Sequence, residues 1–255
     1  MPSFPSPTCA TVRTFAYGIG VSGAASLAWV RLTGEHASVA YYLLALVQLC
    51  CAGVVLYKTS RTARTRRAWS RARTLADLGR LTADWLEGRL PTTPTYHGPP
   101  DPETRPVAEV LARVNRAGYV TDESQTHCDI PAGQGGPRRQ RDAVTGFCGE
   151  AMMERLRELA DRHGLEYRIH QGFTRRRSGE WAITVSEYGS YADDLGRQQD
   201  RADLSWWAAV CSPPALLALK RAWQVTLVDP RWDRPGYLWR VLEEVAQTTG
   251  RSPLR

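Results

Sequence analysis

Two apolar runs near the start of the chain, followed directly by a basic segment, constrain the fold more than any other feature. Residues 14–30 contain no charged side chain, and neither do residues 37–57. At about 1.5 Å rise per residue, helices of these lengths come close to the ~30 Å hydrocarbon core of a bilayer. The runs predict an N-terminal transmembrane hairpin over residues 1–57, with spans at about 14–32 and 37–57.

A basic segment, residues 58–73, follows the second run and holds seven Lys or Arg residues with no acidic residue among them. Basic residues that flank a span stay on the cytoplasmic side, so the segment predicts a multi-pass cell-membrane protein with a cytoplasmic C-terminal domain. Beside a membrane helix, such a segment also favours anionic lipid, at roughly 1 kcal/mol per basic residue near the surface. The expected partner is therefore the lipid bilayer, with anionic lipid at residues 58–73.

The net charge of +7 comes from this segment and not from the remainder of the chain. Residues 74–255 carry 24 basic against 25 acidic side chains, which leaves no broad basic surface for a nucleic acid. Nucleic acid is thus an unlikely partner, and the sequence identifies no protein partner.

The first run has two other interpretations. A signal peptide is disfavoured because no small-residue cleavage site follows and a second apolar run does. Small residues recur in the first run at four-residue spacing, as Gly20, Ala24 and Ala28. They predict close packing of the two spans through Ala45, Ala52 and Gly53, although a weak first helix that inserts only because its neighbour does would look the same.

Residues 74–250 predict one cytosolic α/β (or α+β) domain of mixed strands and helices. Helices are expected from Thr74 to Pro91, from Pro106 to Gly118, and over 150–162, 204–210, 214–222 and 237–247. Strands are expected over 119–124, 166–171, 181–187 and 223–228, with 166–171 and 181–187 paired through a basic hairpin loop. Residues 91–102 are expected as a linker, and residues 126–139 and 192–201 as irregular loops.

Standard catalytic signatures are missing, so the sequence indicates no enzyme class, no catalytic residue, no cofactor and no metal site. His127 and Cys128 are adjacent in a Gly/Pro-rich loop without a third ligand nearby. Cys148 with His170 could be a nucleophile and its base. A packed thiol is the favoured interpretation, with Phe147 and Cys148 expected at the start of the apolar face of a helix.

Polar side chains follow the strand predicted over 119–124. Thr121, Ser124 and Gln125 are expected just past the strand end, where open α/β sheets commonly hold ligands. Thr and Ser also cap turns, so a purely structural role for both hydroxyls stays open.

Two segments of the chain carry recognisable motifs. The first contains Asn115-Arg-Ala-Gly and Val120-Thr-Asp-Glu-Ser-Gln, similar to N-R-x-G and L-T-x-x-S-Q, and the second contains Leu227-Val-Asp and Leu238-Trp, similar to L-V-D…L-W. In this order the motifs resemble the C-terminal regulatory domain of methylenetetrahydrofolate reductases. The region from Ala68 onward is also similar to a family of uncharacterised actinobacterial proteins, which implies no activity.

The reductase domain binds S-adenosylmethionine or its demethylated product. The resemblance implies ligand contacts at Thr121 and Ser124, and less directly at Thr184 in an A-I-T strand. Thr126 stands where that family has Pro, and the flavin-binding barrel has no counterpart here, so reductase activity is not implied.

These observations favour a membrane-tethered, non-catalytic ligand-binding or sensor domain, for which an adenosyl-type nucleotide is the candidate ligand. An interaction scaffold without a small ligand is the alternative, and an enzyme of unknown type comes third. A well-formed pocket near Thr121 favours the sensor, whereas a filled one with an exposed apolar patch favours the scaffold.

Overall fold

A computed structural model describes residues 39–133, 136–174, 181–186 and 191–249. The helices are α1 Val39–Arg71, α2 Leu75–Leu86, α3 Ala108–Arg116, α4 Glu150–His163, α5 Arg201–Ala208, α6 Pro213–Arg221 and α7 Tyr237–Thr249, with a short 3₁₀ helix at Arg105–Val107. The strands are β1 Tyr119–Gln125, β2 Cys128–Gly133, β3 Gly136–Gln140, β4 Ala143–Cys148, β5 Glu166–Gln171, β6 Trp181–Ser186, β7 Tyr191–Leu195 and β8 Trp223–Val228. The chain divides into two compact units between Arg67 and Ala68.

The second apolar run forms helix α1, which continues without a break through the basic segment to Arg71. Among the described residues, this helix alone is long and apolar enough to cross a membrane, by its length and composition. Large apolar side chains along it are exposed, whereas Ala45 and Ala52 are buried and Gly53 has open space around it. The first predicted span, at about 14–32, lies outside the described residues, so the structure shows one apolar helix and the hairpin stays a prediction.

The second unit is a mixed fold of helices and strands, as the sequence predicts, and its strands pair antiparallel. One sheet has the order β1-β4-β8-β5, and the other has the order β2-β3-β6-β7. Strands β1 and β4 continue into the second sheet as β2 and β3, so one long ribbon passes from sheet to sheet. Because no pairing between these strands is parallel, a ligand crevice of the open parallel type does not arise in them.

The first sheet lies between two helical layers, because its buried strands are apolar toward both. Val144 and Leu227 pack with residues of α3, α4 and α7 on one face. Phe147 and Val120 pack on the other face with Trp207 of α5 and Leu219 of α6. This second face also carries buried polar side chains, among them Gln224 and Thr226. In a sheet covered on both sides, buried polar side chains need hydrogen-bond partners within the protein. The partners of these side chains position the candidate site.

Asp142 fixes the point where the ribbon leaves the first sheet. Its carboxylate is buried and accepts hydrogen bonds from the His127 backbone N–H at 2.6 Å, the Trp239 indole N–H at 2.8 Å and the Gly236 backbone N–H at 2.7 Å. Burial raises the pKa of Asp142, and the three donors oppose that shift. Trp239, part of the second segment that resembles the reductase domain, therefore has a structural partner in this fold.

Helix boundaries follow the sequence predictions closely. Thr74 caps α2 in a reciprocal arrangement with Asp77, and Gly164 ends α4 at a φ of 63°. The strands over 119–124, 166–171, 181–187 and 223–228 are confirmed to within a residue or so.

Four predictions about the sheets are wrong. Residues 126–139 form β2 and β3 instead of an irregular loop, and residues 191–195 form β7. The strand over 166–171 pairs with β8 and not with 181–187, which lies in the other sheet. Phe147 and Cys148 end strand β4 and do not begin a helix face. A short apolar run buried on both faces has no strand alternation, so periodicity alone could not identify it.

Candidate functional site

The sequence-predicted site residues lie on two different sheets. Thr121, Ser124 and Gln125 are inside β1, opposite Gly146, Val144 and Ala143 of β4. They do not follow the strand end, which corrects their predicted placement. Thr184 lies in β6, opposite Gln140 of β3. The structure thus brings three of the four residues together on one strand and places Thr184 elsewhere.

Thr121 is bound to the end of the preceding helix. Its hydroxyl accepts a hydrogen bond from the Asn115 side-chain amide at 2.7 Å, and its backbone N–H donates to Asn115 Oδ1 at 3.0 Å. Asn115 is fully buried and also donates to the Leu111 carbonyl at 2.8 Å. These bonds hold α3 against β1, so the Asn of the N-R-x-G segment has a structural role here. Ser124 and Gln125 are half-buried.

A cavity of about 210 Å³ opens beside the next residue of β1; we call it the Asp122 cavity. Three segments of the second unit supply its walls, namely the 91–102 loop, strand β1 and the stretch from 199 to 206. The lining residues are Thr95, Tyr96, Asp122, Glu123, Gln199, Asp203 and Trp206. Neither Thr121 nor Ser124 lines it.

Gln224 of β8 positions the segment that carries Gln199. Its side-chain oxygen accepts from the Gln199 backbone N–H at 2.8 Å, and its amide donates to the Arg197 carbonyl at 2.7 Å. Gln224 is buried on the polar part of the sheet face, where both groups must find partners. The segment before α5 is thereby fixed against the sheet, and the Gln199 side chain reaches the Asp122 cavity.

Asp122 is held by two donors. The Thr95 hydroxyl donates to its Oδ1 at 3.0 Å, and the Gln199 amide nitrogen donates to its Oδ2. Burial raises the pKa of Asp122, and these two hydrogen bonds counteract part of the shift. The site therefore holds an oriented carboxylate that remains easier to protonate than an ordinary aspartate.

Arg197 binds Asp203 in a two-pronged ion pair, with N–O distances of 2.6 and 2.8 Å. This hydrogen-bonded pairing raises the pKa of Arg197. Asp203 also accepts from the Asp200 backbone N–H in the capping box that begins α5. The capping box thus fixes the orientation of Asp203. Its charge is compensated by Arg197, which does not itself line the cavity.

Two aromatic side chains form the outer wall of the Asp122 cavity. Tyr96 packs against Trp85 with ring centroids 5.7 Å apart and donates its hydroxyl to Asp101 at 2.5 Å. Trp206 is 55% exposed and meets His97 edge-on. The 91–102 loop, predicted only as a linker, therefore contributes part of the site.

Gln199 presents a polar group that the described residues leave without a partner. The residue is only 6% exposed, its amide nitrogen is used by Asp122, and its Oε1 has no hydrogen-bond partner in the described part of the chain. Reversing the amide would point Oε1 at the Asp122 carboxylate, so the assigned orientation is the favourable one. A buried acceptor without a partner costs about 1–3 kcal/mol, which indicates that something else donates to it.

The other chemically reactive side chains have ordinary structural surroundings. Cys148 and Cys211 are buried, and burial raises the pKa of both thiols to about 12, so neither is activated as a nucleophile. The Nε2 atom of His170 lies 3.2 Å from the carbonyl oxygen of Gly196. Over the described ranges, no group of three or more His, Cys, Asp or Glu residues could hold a metal ion.

Sequence reasoning missed most of this site. Asp122 and Glu123 occupy the variable positions of the segment that resembles L-T-x-x-S-Q, and Gln199 lies in a predicted loop. Asp203 falls just before a predicted helix, and Tyr96 lies in the predicted linker. The one available signal was the presence of large aromatic residues in polar segments next to acidic ones.

A family model described as a domain of unknown function (DUF6919) matches residues 64–249. The chain belongs to this family. The match covers most of the chain and includes every residue that lines the Asp122 cavity. No curated protein matches the chain in sequence.

Proposed function

We propose that this DUF6919 protein is a membrane-tethered, non-catalytic sensor whose ligand binds in the Asp122 cavity. The observation that carries the proposal is the polar lining of this cavity: Gln199 is one of the lining residues, and its buried Oε1 lacks a donor among the described residues. A native domain rarely leaves such a group unsatisfied, so a bound molecule is a direct way to complete it. The aromatic side chains at the outer wall provide the apolar contact that small-ligand sites generally use.

Helix α1 supports the membrane part of the proposal. Leu43, Leu46 and Val54 are each more than half exposed, and their helix is long and apolar enough to cross a membrane. A continuous exposed apolar surface requires an apolar environment, and a bilayer provides one. The basic residues after position 57 favour a cytoplasmic location for the second unit and contact with anionic lipid.

Helix α5 supports the sensor part of the proposal. Asp203 and Trp206 of this helix line the cavity, while the adjacent Trp207 is buried against Trp69 with ring centroids 6.2 Å apart. Trp69 lies in the last turns of α1 and belongs to the second unit. A ligand that shifts α5 would therefore alter the packing at the C-terminal end of α1.

The adenosyl-type ligand implied by the reductase resemblance remains a candidate. A cavity of about 210 Å³ is below the ~300 Å³ at which pockets for drug-sized ligands begin, so it would enclose only one end of such a molecule. If the remainder runs along β1, replacing Ser124 by Ala should weaken adenosyl binding by about 1 kcal/mol.

A thermal-shift screen of the full chain in detergent micelles tests the proposed function. The screen covers adenosyl compounds, nucleotides, amines, carboxylic acids and sugars. A specific ligand at about 100 times its Kd stabilises by about 2.7 kcal/mol, which is a rise in melting temperature of roughly 5–10 °C for a domain of this size. If no compound raises the melting temperature, the sensor proposal fails and an interaction scaffold becomes the better interpretation.

The screen has a matched pair of variants. Trp206→Ala removes an exposed side chain from the cavity wall, and Glu158→Gln removes an exposed carboxylate elsewhere on the second unit. The proposal predicts that the Trp206 variant loses the ligand-induced shift and that the Glu158 variant keeps it. Equal shifts in both variants would place the ligand outside the Asp122 cavity.

A further inference from the structure

The lining of the Asp122 cavity has an uneven charge. Asp122, Glu123 and Asp203 contribute three carboxylates, and none of the described lining residues is Lys or Arg. Arg197 is bound to Asp203 and its charge also interacts with Glu123, so it offsets part of this negative charge. The electrostatic potential inside therefore favours a cation over an anion.

The hydrogen-bonding groups point to the same class of ligand. Asp122, Glu123 and Asp203 accept hydrogen bonds when ionised, and the Oε1 of the lining residue Gln199 is an acceptor without a partner among the described residues. A ligand with several N–H donors satisfies them, whereas a carboxylate or phosphate ligand would place acceptor against acceptor. The acceptors of the lining therefore favour a ligand that carries hydrogen-bond donors, and a cationic N–H donor also matches their charge.

Tyr96 and Trp206 add a third, independent preference. Aromatic faces attract organic cations, and a tryptophan does so most strongly, by about 0.5–2 kcal/mol according to solvent exposure. Both rings line the cavity together with the sheet residue Asp122. An ammonium or guanidinium group placed between an aromatic ring and the Asp122 carboxylate would interact favourably with both.

Cavity volume limits the size of the ligand. A volume of about 210 Å³ equals roughly seven water molecules at ~30 Å³ each. A bare metal ion is far smaller, and the described residues offer no cluster of three metal ligands to hold one. The volume corresponds to a compact molecule or to one end of a longer one.

We infer that the Asp122 cavity binds a small organic cation that carries N–H donors, an alkyl amine or a guanidine. The inference rests on the proposed ligand-binding function and specifies its ligand class. One cationic group contacts Asp122 and donates to Gln199 Oε1, and its alkyl part lies against Trp206. The α-ammonium group of S-adenosylmethionine is an N–H donor of this class, whereas the carboxylate beside it would meet the acidic lining unfavourably.

Isothermal titration calorimetry on the full chain in detergent micelles tests the inference with matched probes. Putrescine and agmatine are the cations, 1,4-butanediol is the uncharged counterpart of putrescine, and succinate is the dianion. The cations should bind, and the diol and dianion should bind at least tenfold more weakly. Trp206→Ala should weaken cation binding by about 2- to 30-fold, the fold-change equivalent of a cation–π contact.

Asp122→Asn should weaken cation binding by tenfold or more, because it removes the charge and keeps the shape. Glu158→Gln, which removes an exposed carboxylate outside the cavity, should leave the affinity unchanged. The melting temperature of each variant checks its folding, and Trp206→Ala alters a side chain that is more than half exposed.

The outcomes separate the two proposals. Binding of the diol or succinate as tight as that of putrescine, or cation binding insensitive to both cavity variants, would overturn the cationic ligand class and leave the sensor function standing. Failure of every probe here and of every compound in the broader screen would overturn both. Preferential binding of S-adenosylmethionine that depends on Asp122 and Trp206 would support both.

Discussion

Replacing Arg234 by Ala should destabilise the second unit far more than replacing Arg231 by Ala, although only two residues separate them. Arg234 makes three hydrogen bonds of 2.7–3.1 Å to Asp229, whose side chain is 1% exposed. Arg231 pairs its side chain with Asp233, and these two side chains are 61% and 65% exposed. The comparison isolates burial, because residue type and charge change are the same.

The structure sets the magnitude. Removing one partner of a buried ion pair costs about 3–5 kcal/mol, because the other charge remains buried and uncompensated. Arg234 is 22% exposed, and the Arg231 backbone N–H still donates to Asp229 at 3.0 Å, so the lower end of that range applies. Arg234→Ala also removes a guanidinium 3.7 Å from the centre of the Tyr237 ring. We expect a loss of about 3 kcal/mol, against about 0–1 kcal/mol for the exposed pair.

Thermal unfolding of the full chain in detergent micelles, followed by tryptophan fluorescence, measures both variants. For a domain of this size, the Arg234 variant should melt roughly 6–12 °C lower, and the Arg231 variant within about 3 °C of the parent. Arg234→Lys should fall between them, since it keeps the charge and loses the forked geometry. Equal losses for the two alanine variants would refute the argument from burial.

Gly79→Ala should destabilise the second unit by about 1–3 kcal/mol in the same assay, because a Cβ there would lie 2.3 Å from the Asn115 carbonyl oxygen. The cost of this clash outweighs the gain from the higher helix propensity of Ala. Gly149→Ala, with nothing within 4 Å, is its control, and equal effects would contradict the packing argument. Cation affinity should fall as pH drops through the raised pKa of Asp122, since protonation removes its charge, and Asp122→Asn should flatten calorimetric affinity against pH. If the affinity of Asp122→Asn depended on pH as strongly as that of the parent, Asp122 would not be the binding carboxylate. A reporter fused after Arg255 should be active only in the cytoplasm, and activity outside it would reverse the assigned topology.

Short-range signals predicted the helices well. Thr74 with Asp77 and the left-handed Gly164 encode α2 and α4 within a few residues of their ends. Strand pairing depends on residues far apart, so no local pattern could place β5 beside β8 or assign 126–139 to two strands. Gly and Pro in that stretch gave a loop signal that tertiary pairing overrode.

The site was less predictable than the fold because tertiary hydrogen bonds create it. Gln199 lies in a polar segment with no motif, and only Gln224, 25 residues later, brings it to Asp122. Thr121 drew attention by resemblance, yet its hydroxyl is bound to Asn115. The next residue along the strand, Asp122, is the one that lines the cavity.

A high-resolution structure of the full chain, determined in the presence of agmatine, tests the central claim most directly. The account predicts an agmatine nitrogen about 2.7–3.2 Å from Gln199 Oε1 and near the Asp122 carboxylate, with the alkyl chain against Trp206. A structure in which the Asp122 cavity holds only water while agmatine is absent or bound elsewhere would contradict it.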